Sequence, residues 1–145
     1  MAYVHVAHDC DIGNEAVFAN NSSLAGHVSV GDYVIFGGFS GVHQFCRVGA
    51  HSFIGNNAAV TRDVPPYIMV SGQPAVPRGV NSAGLKRRGF NSDQAKNIKE
   101  AFRLLYRLGL RLEEARDRIT ELAVDRKELR IFAEFLEPSE RSIVR

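Results

Sequence analysis

From Val6 onward, every sixth residue is apolar through ten consecutive hexads: Val6, Ile12, Phe18, Leu24, Val30, Phe36, Val42, Val48, Ile54 and Val60. Two residues ahead of each runs a second series: Val4, Cys10, Ala16, Ser22, Val28, Val34, Ser40, Cys46, Ser52 and Ala58. Every member of that series is small or β-branched. A strict period of six fits neither an α-helix nor an antiparallel meander. It is the mark of a parallel β-helix, in which three short strands complete a coil of about eighteen residues. Side chains alternate along a strand, so the two series point inward together. The residue after the apolar one is often Gly or Ala, as in Ile12-Gly13, Val30-Gly31 and Val48-Gly49. Its expected part is to free the backbone to turn the corner.

The repeat accounts for the first part of the chain only. Residues 1–60 carry net −3 and residues 61–145 net +5. No apolar run approaches a bilayer span and no signal-peptide pattern opens the sequence. A cytoplasmic protein without stable membrane insertion is therefore expected. Cys10 and Cys46 are 36 residues apart, two coils at one phase. That is ~9.5 Å at strand spacing, beyond the ~7 Å a disulfide spans. Both are expected to fill the core.

Past Val60 the chain becomes rich in Pro and Gly, from Val64-Pro65-Pro66 through Gly72-Gln73-Pro74 to Pro77-Arg78-Gly79. That is loop chemistry. Asn91 and Gln94 then form a capping box ahead of the stripe Ala95, Ile98, Phe102 and Leu105, with Gly109 as the stop. A second helix carries Leu112, Ala115, Ile119 and Leu122. A third carries Leu129, Phe132 and Leu136 and ends at Pro138. The expected division is a β-helix over 1–65, a connecting loop over 66–90 and a helical unit over 91–145. The chain begins inside the repeat, at Tyr3-Val4-His5-Val6, with nothing to cap the first coil. A fragment or a truncated copy of a longer protein is expected.

Taken modulo eighteen, His8, His27 and His43 fall at phases 8, 9 and 7, on three successive coils. None is in the inward register, so they form one outward edge; His5 is nearby and His51 lies far around the coil. Histidines so placed suit general acid–base work or zinc ligation. Gly26 has the phase of His8, and its amide suits a developing oxyanion if it points outward. Asp9 orients the His8 ring if both sit at a corner, and is an ordinary turn residue if they do not.

The string His5-Val6-Ala7-His8-Asp9-Cys10 resembles the active-site segment of bacterial UDP-N-acetylglucosamine O-acyltransferases, which open lipid A biosynthesis. The resemblance continues in Leu24-Ala25-Gly26-His27-Val28, Gly41-Val42-His43-Gln44-Phe45-Cys46, Asp63-Val64-Pro65-Pro66-Tyr67 and Gly84-Leu85-Lys86-Arg87-Arg88-Gly89-Phe90. It implies a left-handed parallel β-helix with a small C-terminal helical domain. It also implies a homotrimer with active sites in the clefts between subunits. The implied reaction moves a 3-hydroxyacyl group from acyl carrier protein to the glucosamine 3-hydroxyl of UDP-N-acetylglucosamine. No metal, other cofactor or nucleic acid is implied. By the same resemblance His8 is the general base, Asp9 the acid beside it and Gly26 the oxyanion donor. His5, His27, His43 and Gln44 line the sugar and acyl site, Asn81, Arg87 and Arg88 serve the nucleotide and the carrier, and Asn56 limits the acyl tail.

A thioester is already activated, so a base and an oxyanion donor suffice. Lys86-Arg87-Arg88 suits phosphates, and the helical Arg103, Arg107 and Arg111 suit either an acidic carrier or a solvated face. Two departures stand out: the family's upstream coils, with a Gln-Asp pair at the sugar, have no counterpart here, and Ala83 replaces a frequent Glu. The alternatives are an inactive scaffold, the related N-acyltransferase of the pathway and a β-helical zinc carbonic anhydrase. No two histidines have the five-residue spacing of the last.

Overall fold

The period of six becomes ten two-residue strands. They are β1 (His5–Val6), β2 (Asp11–Ile12), β3 (Val17–Phe18), β4 (Ser23–Leu24), β5 (Ser29–Val30), β6 (Ile35–Phe36), β7 (Gly41–Val42), β8 (Arg47–Val48), β9 (Phe53–Ile54) and β10 (Ala59–Val60). The structure, a computed structural model, describes residues 1–137 and 142–145. Strands β1 to β7 each pair in parallel with the strand eighteen residues on: His5 with Ser23, Asp11 with Ser29, Val17 with Ile35. Three sheets result, β1-β4-β7-β10, β2-β5-β8 and a third built on β3-β6-β9. They form the three walls of a left-handed parallel β-helix of about four turns.

Both inward series fill the interior. Leu24, Val28, Val34, Phe36, Cys46 and Ile54 are all at most 1% exposed, and each large member contributes ~1.5–3 kcal/mol by leaving water. Phe18 stacks on Phe36 at 4.6 Å between centroids. Exposure rises in the first coil, to 43% for Val6 and 36% for Ile12, because no coil lies below it among the described residues. Cys10 and Cys46 are not bridged; the Cys10 thiol donates to the Ala25 carbonyl at 3.2 Å.

The corners depart from expectation. Their left-handed residues are Asp9, Glu15, Asn21, His27, Tyr33, Phe39, Phe45, His51 and Asn57, each with φ near +60°. They stand three places after the apolar position, and none is glycine. Each costs about 1 kcal/mol or more of backbone strain, offset by the ladder: His27 N–H donates to the His8 carbonyl at 3.0 Å and Phe45 N–H to that of Gly26 at 3.1 Å. The glycines directly after the apolar residue are there for close approach instead. A Cβ on Gly31 would stand 2.5 Å from Ala50 N in the next coil, and one on Gly49 would meet the Pro66 backbone.

Segment 66–90, expected as loop, is ordered. β11 (Ile68–Ser71) joins the third sheet beside β9 in parallel, with Met69 opposite Phe53, and β12 (Val76–Val80) closes an antiparallel hairpin on β11. Val64 bridges Val48. The fourth coil is thus completed by irregular spacing, after the hexads have ended. The short helix α1 (Ser82–Arg87) follows.

Then come α2 (Ser92–Tyr106), α3 (Leu112–Ala123), a 3-10 turn at Lys127–Leu129 and α4 (Arg130–Phe135). Asn91 Oδ1 accepts from Gln94 N–H and Gln94 Oε1 from Asn91 N–H, both at 2.9 Å. Pro138, the expected stop of the last helix, lies outside the described residues. Arg47 fastens the helices to the coils. Its Nε donates to the buried Asp63 carboxylate at 3.1 Å and its guanidinium to the Phe135 carbonyl at 3.0 Å. Tyr67 OH reaches the Glu128 carbonyl at 2.8 Å.

Two glycine substitutions separate contact from conformation. Gly31→Ala is expected to cost about 1–3 kcal/mol in urea unfolding, because its Cβ meets backbone that cannot give without parting two coils. Gly41→Ala, whose Cβ would have Ser23 Oγ at 3.7 Å as its nearest neighbour, is expected within about 1 kcal/mol of the parent. Equal losses would overturn the close-approach account.

Candidate active site

At three places on two of the coil's corners a side-chain oxygen from the coil above caps an otherwise unpaired corner N–H. Asn20 Oδ1 accepts from Ala2 N–H at 3.1 Å, Asp32 Oδ1 from Asn14 N–H at 2.7 Å and Asn56 Oδ1 from Gly38 N–H at 3.0 Å. Asn20 and Asp32 themselves lie beneath Gly38 and Ala50, which offer no such cap, and the His8 corner has none either. The residue above His8 is Gly26, which has no side chain, and the one above Gly26 is Gln44. Among the described residues no group of the chain accepts from the His8 or Gly26 N–H. That corner carries uncapped amides.

The side chains at the same corner converge. His8 Nδ1 lies 3.0 Å from Asp9 Oδ2, and His27 Nε2 lies 3.7 Å from the same oxygen. The His8 and His27 rings meet edge to face at 5.1 Å, and His27 stacks flat on Phe45 at 4.6 Å and 6°. The His8 ring covers Gly26 so closely that a Cβ there would lie 2.6 Å from His8 Cε1 and 2.7 Å from Nε2. The missing side chain therefore makes room for the ring.

The His8 hydrogen bond, and next the charge of His27, hold the Asp9 carboxyl below its ordinary value. Asp9 is therefore ionised near neutral pH and accepts only. In the neutral ring the proton consequently sits on Nδ1, and Nε2 presents a lone pair. With a lone pair and an uncapped N–H at one corner, the first can take a proton from one atom while the second serves an oxygen that gains charge.

His43 does not continue this contact column; its Nδ1 pairs with the Gln44 carbonyl at 3.1 Å. The third member is Phe45, which sequence reasoning missed although it shares the phase of His27. His43 instead lines a groove of about 580 Å3 with His5, Ala25, Phe39, Gly41 and Gln73, on the outer face of the β1-β4-β7-β10 sheet. One side of that groove is the His8 corner. The other is the corner of Phe39 and Asn57, next to Asn56.

Asn81, Arg87 and Arg88 lie on another corner. Asn81 is buried, with Oδ1 accepting from Gly84 N–H at 3.1 Å and Nδ2 donating to the His51 carbonyl at 2.9 Å. Both ends of its amide are used in seating α1. Arg87 and Arg88 are exposed, and the Arg88 guanidinium lies 4.5 Å over the Tyr33 ring. Tyr33 and Tyr67 flank His51 there, and burial together with the Arg88 charge lowers the His51 pKa. Within one chain this basic patch does not meet His8.

Residues 63–144 match the sequence profile of a family described as UDP-N-acetylglucosamine O-acyltransferase, domain 2. The chain belongs to that family. It is 51% identical over its whole length to the acyl-[acyl-carrier-protein]–UDP-N-acetylglucosamine O-acyltransferase of Thiobacillus denitrificans, of which it covers 56%. Among solved structures it is similar to the UDP-N-acetylglucosamine acyltransferase of Francisella novicida, with TM-score 0.97 and 48% identity over 100% of this chain and 53% of that one. It is also similar to the Acinetobacter baumannii protein, with TM-score 0.93 and 43% identity over 98% of this chain and 55% of that one. The chain thus spans little more than half the length of the O-acyltransferase relatives it matches.

The Asp9 pKa offers a test of the corner that needs no substrate. Carboxyl NMR titration of His8→Ala should find Asp9 protonating at higher pH than in the parent, because its principal hydrogen-bond donor is gone. His43→Ala should leave it in place. An unchanged Asp9 in His8→Ala would contradict the contact.

Proposed function

We propose that this chain carries the acyl-transfer site of a UDP-N-acetylglucosamine O-acyltransferase. In this reading a 3-hydroxyacyl group passes from the thioester of acyl carrier protein to the sugar 3-hydroxyl. The observation that carries it is the uncapped corner, where His8 faces Asp9 through Nδ1 and lies over Gly26 with Nε2. Nε2 of His8 takes the hydroxyl proton as the oxygen attacks the thioester carbonyl. The Gly26 N–H receives the charge that develops on the carbonyl oxygen. Collapse expels the carrier thiolate, which recovers the proton from His8. Asp9 holds the Nδ1–H tautomer throughout and stabilises the imidazolium while it exists. No nucleophilic residue takes part.

The groove that His5 and His43 line suits the sugar and the start of the acyl chain, with His27 and Gln44 at its corner. Arg87 and Arg88 suit the nucleotide phosphates and the acidic carrier, and Asn81 acts on them by seating α1. These groups stand on a different corner from His8, which supports a homotrimer whose neighbours close each site. The exposed Phe39 and Phe45 support the same arrangement. Among the described residues no helix is long and apolar enough to cross a membrane, in keeping with a cytoplasmic reaction on a carrier-borne donor.

Supplied with 3-hydroxyacyl carrier protein and UDP-N-acetylglucosamine, the chain should release acylated sugar nucleotide, detected by mass spectrometry. His8→Ala should lower kcat/KM ~10²-fold or more while sedimentation still finds a trimer. Near-normal turnover in the variant, or a monomer at micromolar concentration, would sink the reading.

Asn56 tests the tail. Asn56→Gly should shift the kcat/KM preference toward longer donors, since each added buried methylene contributes ~0.8 kcal/mol, and Asn56→Met toward shorter ones. The ratio between donors is the readout. Absolute rate is confounded because either change also removes the cap on Gly38 N–H. A preference unmoved by both would place the end of the tail elsewhere.

A further inference from the structure

We propose that His8, Asp9 and His27 form a binding site for a divalent transition metal of the zinc type, and that occupancy silences His8 as a base. Each of the three offers a ligand atom, and these atoms lie within 4.8 Å of one another. Two of the separations, 3.0 and 3.7 Å about Asp9 Oδ2, bracket the roughly 3.4 Å between ligands in a tetrahedral zinc site with bonds of roughly 2.0–2.2 Å. The remaining edge closes by rotation of the exposed His8 ring. Three protein ligands and an open fourth position, filled by water, is the pattern of accessible zinc sites.

The backbone beneath is already set. Asp9 and His27 both hold left-handed corner conformations, His27 N–H is tied to the His8 carbonyl at 3.0 Å, and Phe45 fixes the plane of the His27 ring. An ionised carboxylate among two imidazoles completes a donor set suited to zinc, nickel or copper(II) rather than to magnesium. Little reorganisation opposes binding.

The consequence follows from the tautomer. Without metal the His8 proton sits on Nδ1, facing Asp9, and Nε2 is free to accept. A metal binding Nδ1 displaces that proton, and the single ring proton of neutral His8 relocates through solvent to Nε2. The ring charge is unchanged and the base is lost. This second half rests on the acyl-transfer reading; the binding itself does not.

Calorimetric titration of the chelator-treated chain with zinc chloride should give one ion per chain, tighter than about 100 µM. Asp9→Asn and His27→Ala should each weaken it at least ~10-fold, and His43→Ala should retain it. Asn is at home in the left-handed corner, so Asp9→Asn keeps the fold while removing the carboxylate. Ring nitrogen NMR should find the His8 proton moving from Nδ1 to Nε2 on titration. Absence of stoichiometric binding, or full affinity in Asp9→Asn, would overturn the site. Zinc bound with the tautomer and turnover unchanged would overturn the silencing. Zinc bound as expected by a chain with no acyl transfer would overturn the functional reading and leave the metal site standing.

Discussion

Coil-to-coil register is the constraint on which the whole structure depends. A two-residue strand makes too few hydrogen bonds to persist alone, and its stability comes from the copies stacked on either side. The offset of eighteen holds from β1 through β10, so residues of one phase stand directly over one another. The chain becomes a set of vertical columns. Inside, the columns are aliphatic and small; at the corners they are polar or aromatic. A substitution acts on its column neighbours before it acts on its sequence neighbours, as the closeness of Gly31 to Ala50 illustrates.

Seen as columns, the candidate site is an uncapped corner on which polar side chains converge. Asn20, Asp32 and Asn56 cap the corner amides beneath them. The corner bearing Gly26 lacks that cap and carries an imidazole packed over Gly26. The cap is also missing above Asn20 and Asp32, where Gly38 and Ala50 stand; what sets the His8 corner apart is that His8, Asp9 and His27 converge on it. The loss of a neutral hydrogen bond there costs of order 1 kcal/mol, small beside the burial supplied by the interior columns.

The interior was legible because its period is a property of the sequence alone. The histidine edge was legible to within one phase, which sufficed to bring His8 to His27 and did not suffice to separate His43 from Phe45. Phase 9 is shared by Asp9, His27 and Phe45, so strict arithmetic would have found the aromatic stack. The glycines were misread because their reason is a contact between coils, whereas the sequence offers only a general freedom of glycine. Segment 66–90 was read as loop on composition. β11 enters its sheet at an offset of sixteen, which no six-residue template detects. The Arg47–Asp63 pair, which binds the helices to the coils, left no periodic trace. Neither did the use of the Asn81 amide as a helix cap.

The separation of the two polar patches bears on how such a chain can work. A β-helix whose strands and inward side chains are committed to their neighbours is a stiff prism, with no hinge between walls. Arg87 and Arg88 cannot swing round to His8 by bending it, and α1 is held in place by the Asn81 amide and by Arg88 over Tyr33. A ligand with phosphates at one end and a reacting hydroxyl at the other must then be gripped by two different prisms. In the acyl-transfer reading, assembly is therefore part of the chemistry: one chain offers the base and the oxyanion amide, and its neighbour the cations that hold the nucleotide in line with them. In that reading rigidity, which forbids closure within a chain, is also what holds the His8 backbone and the Gly26 amide in register.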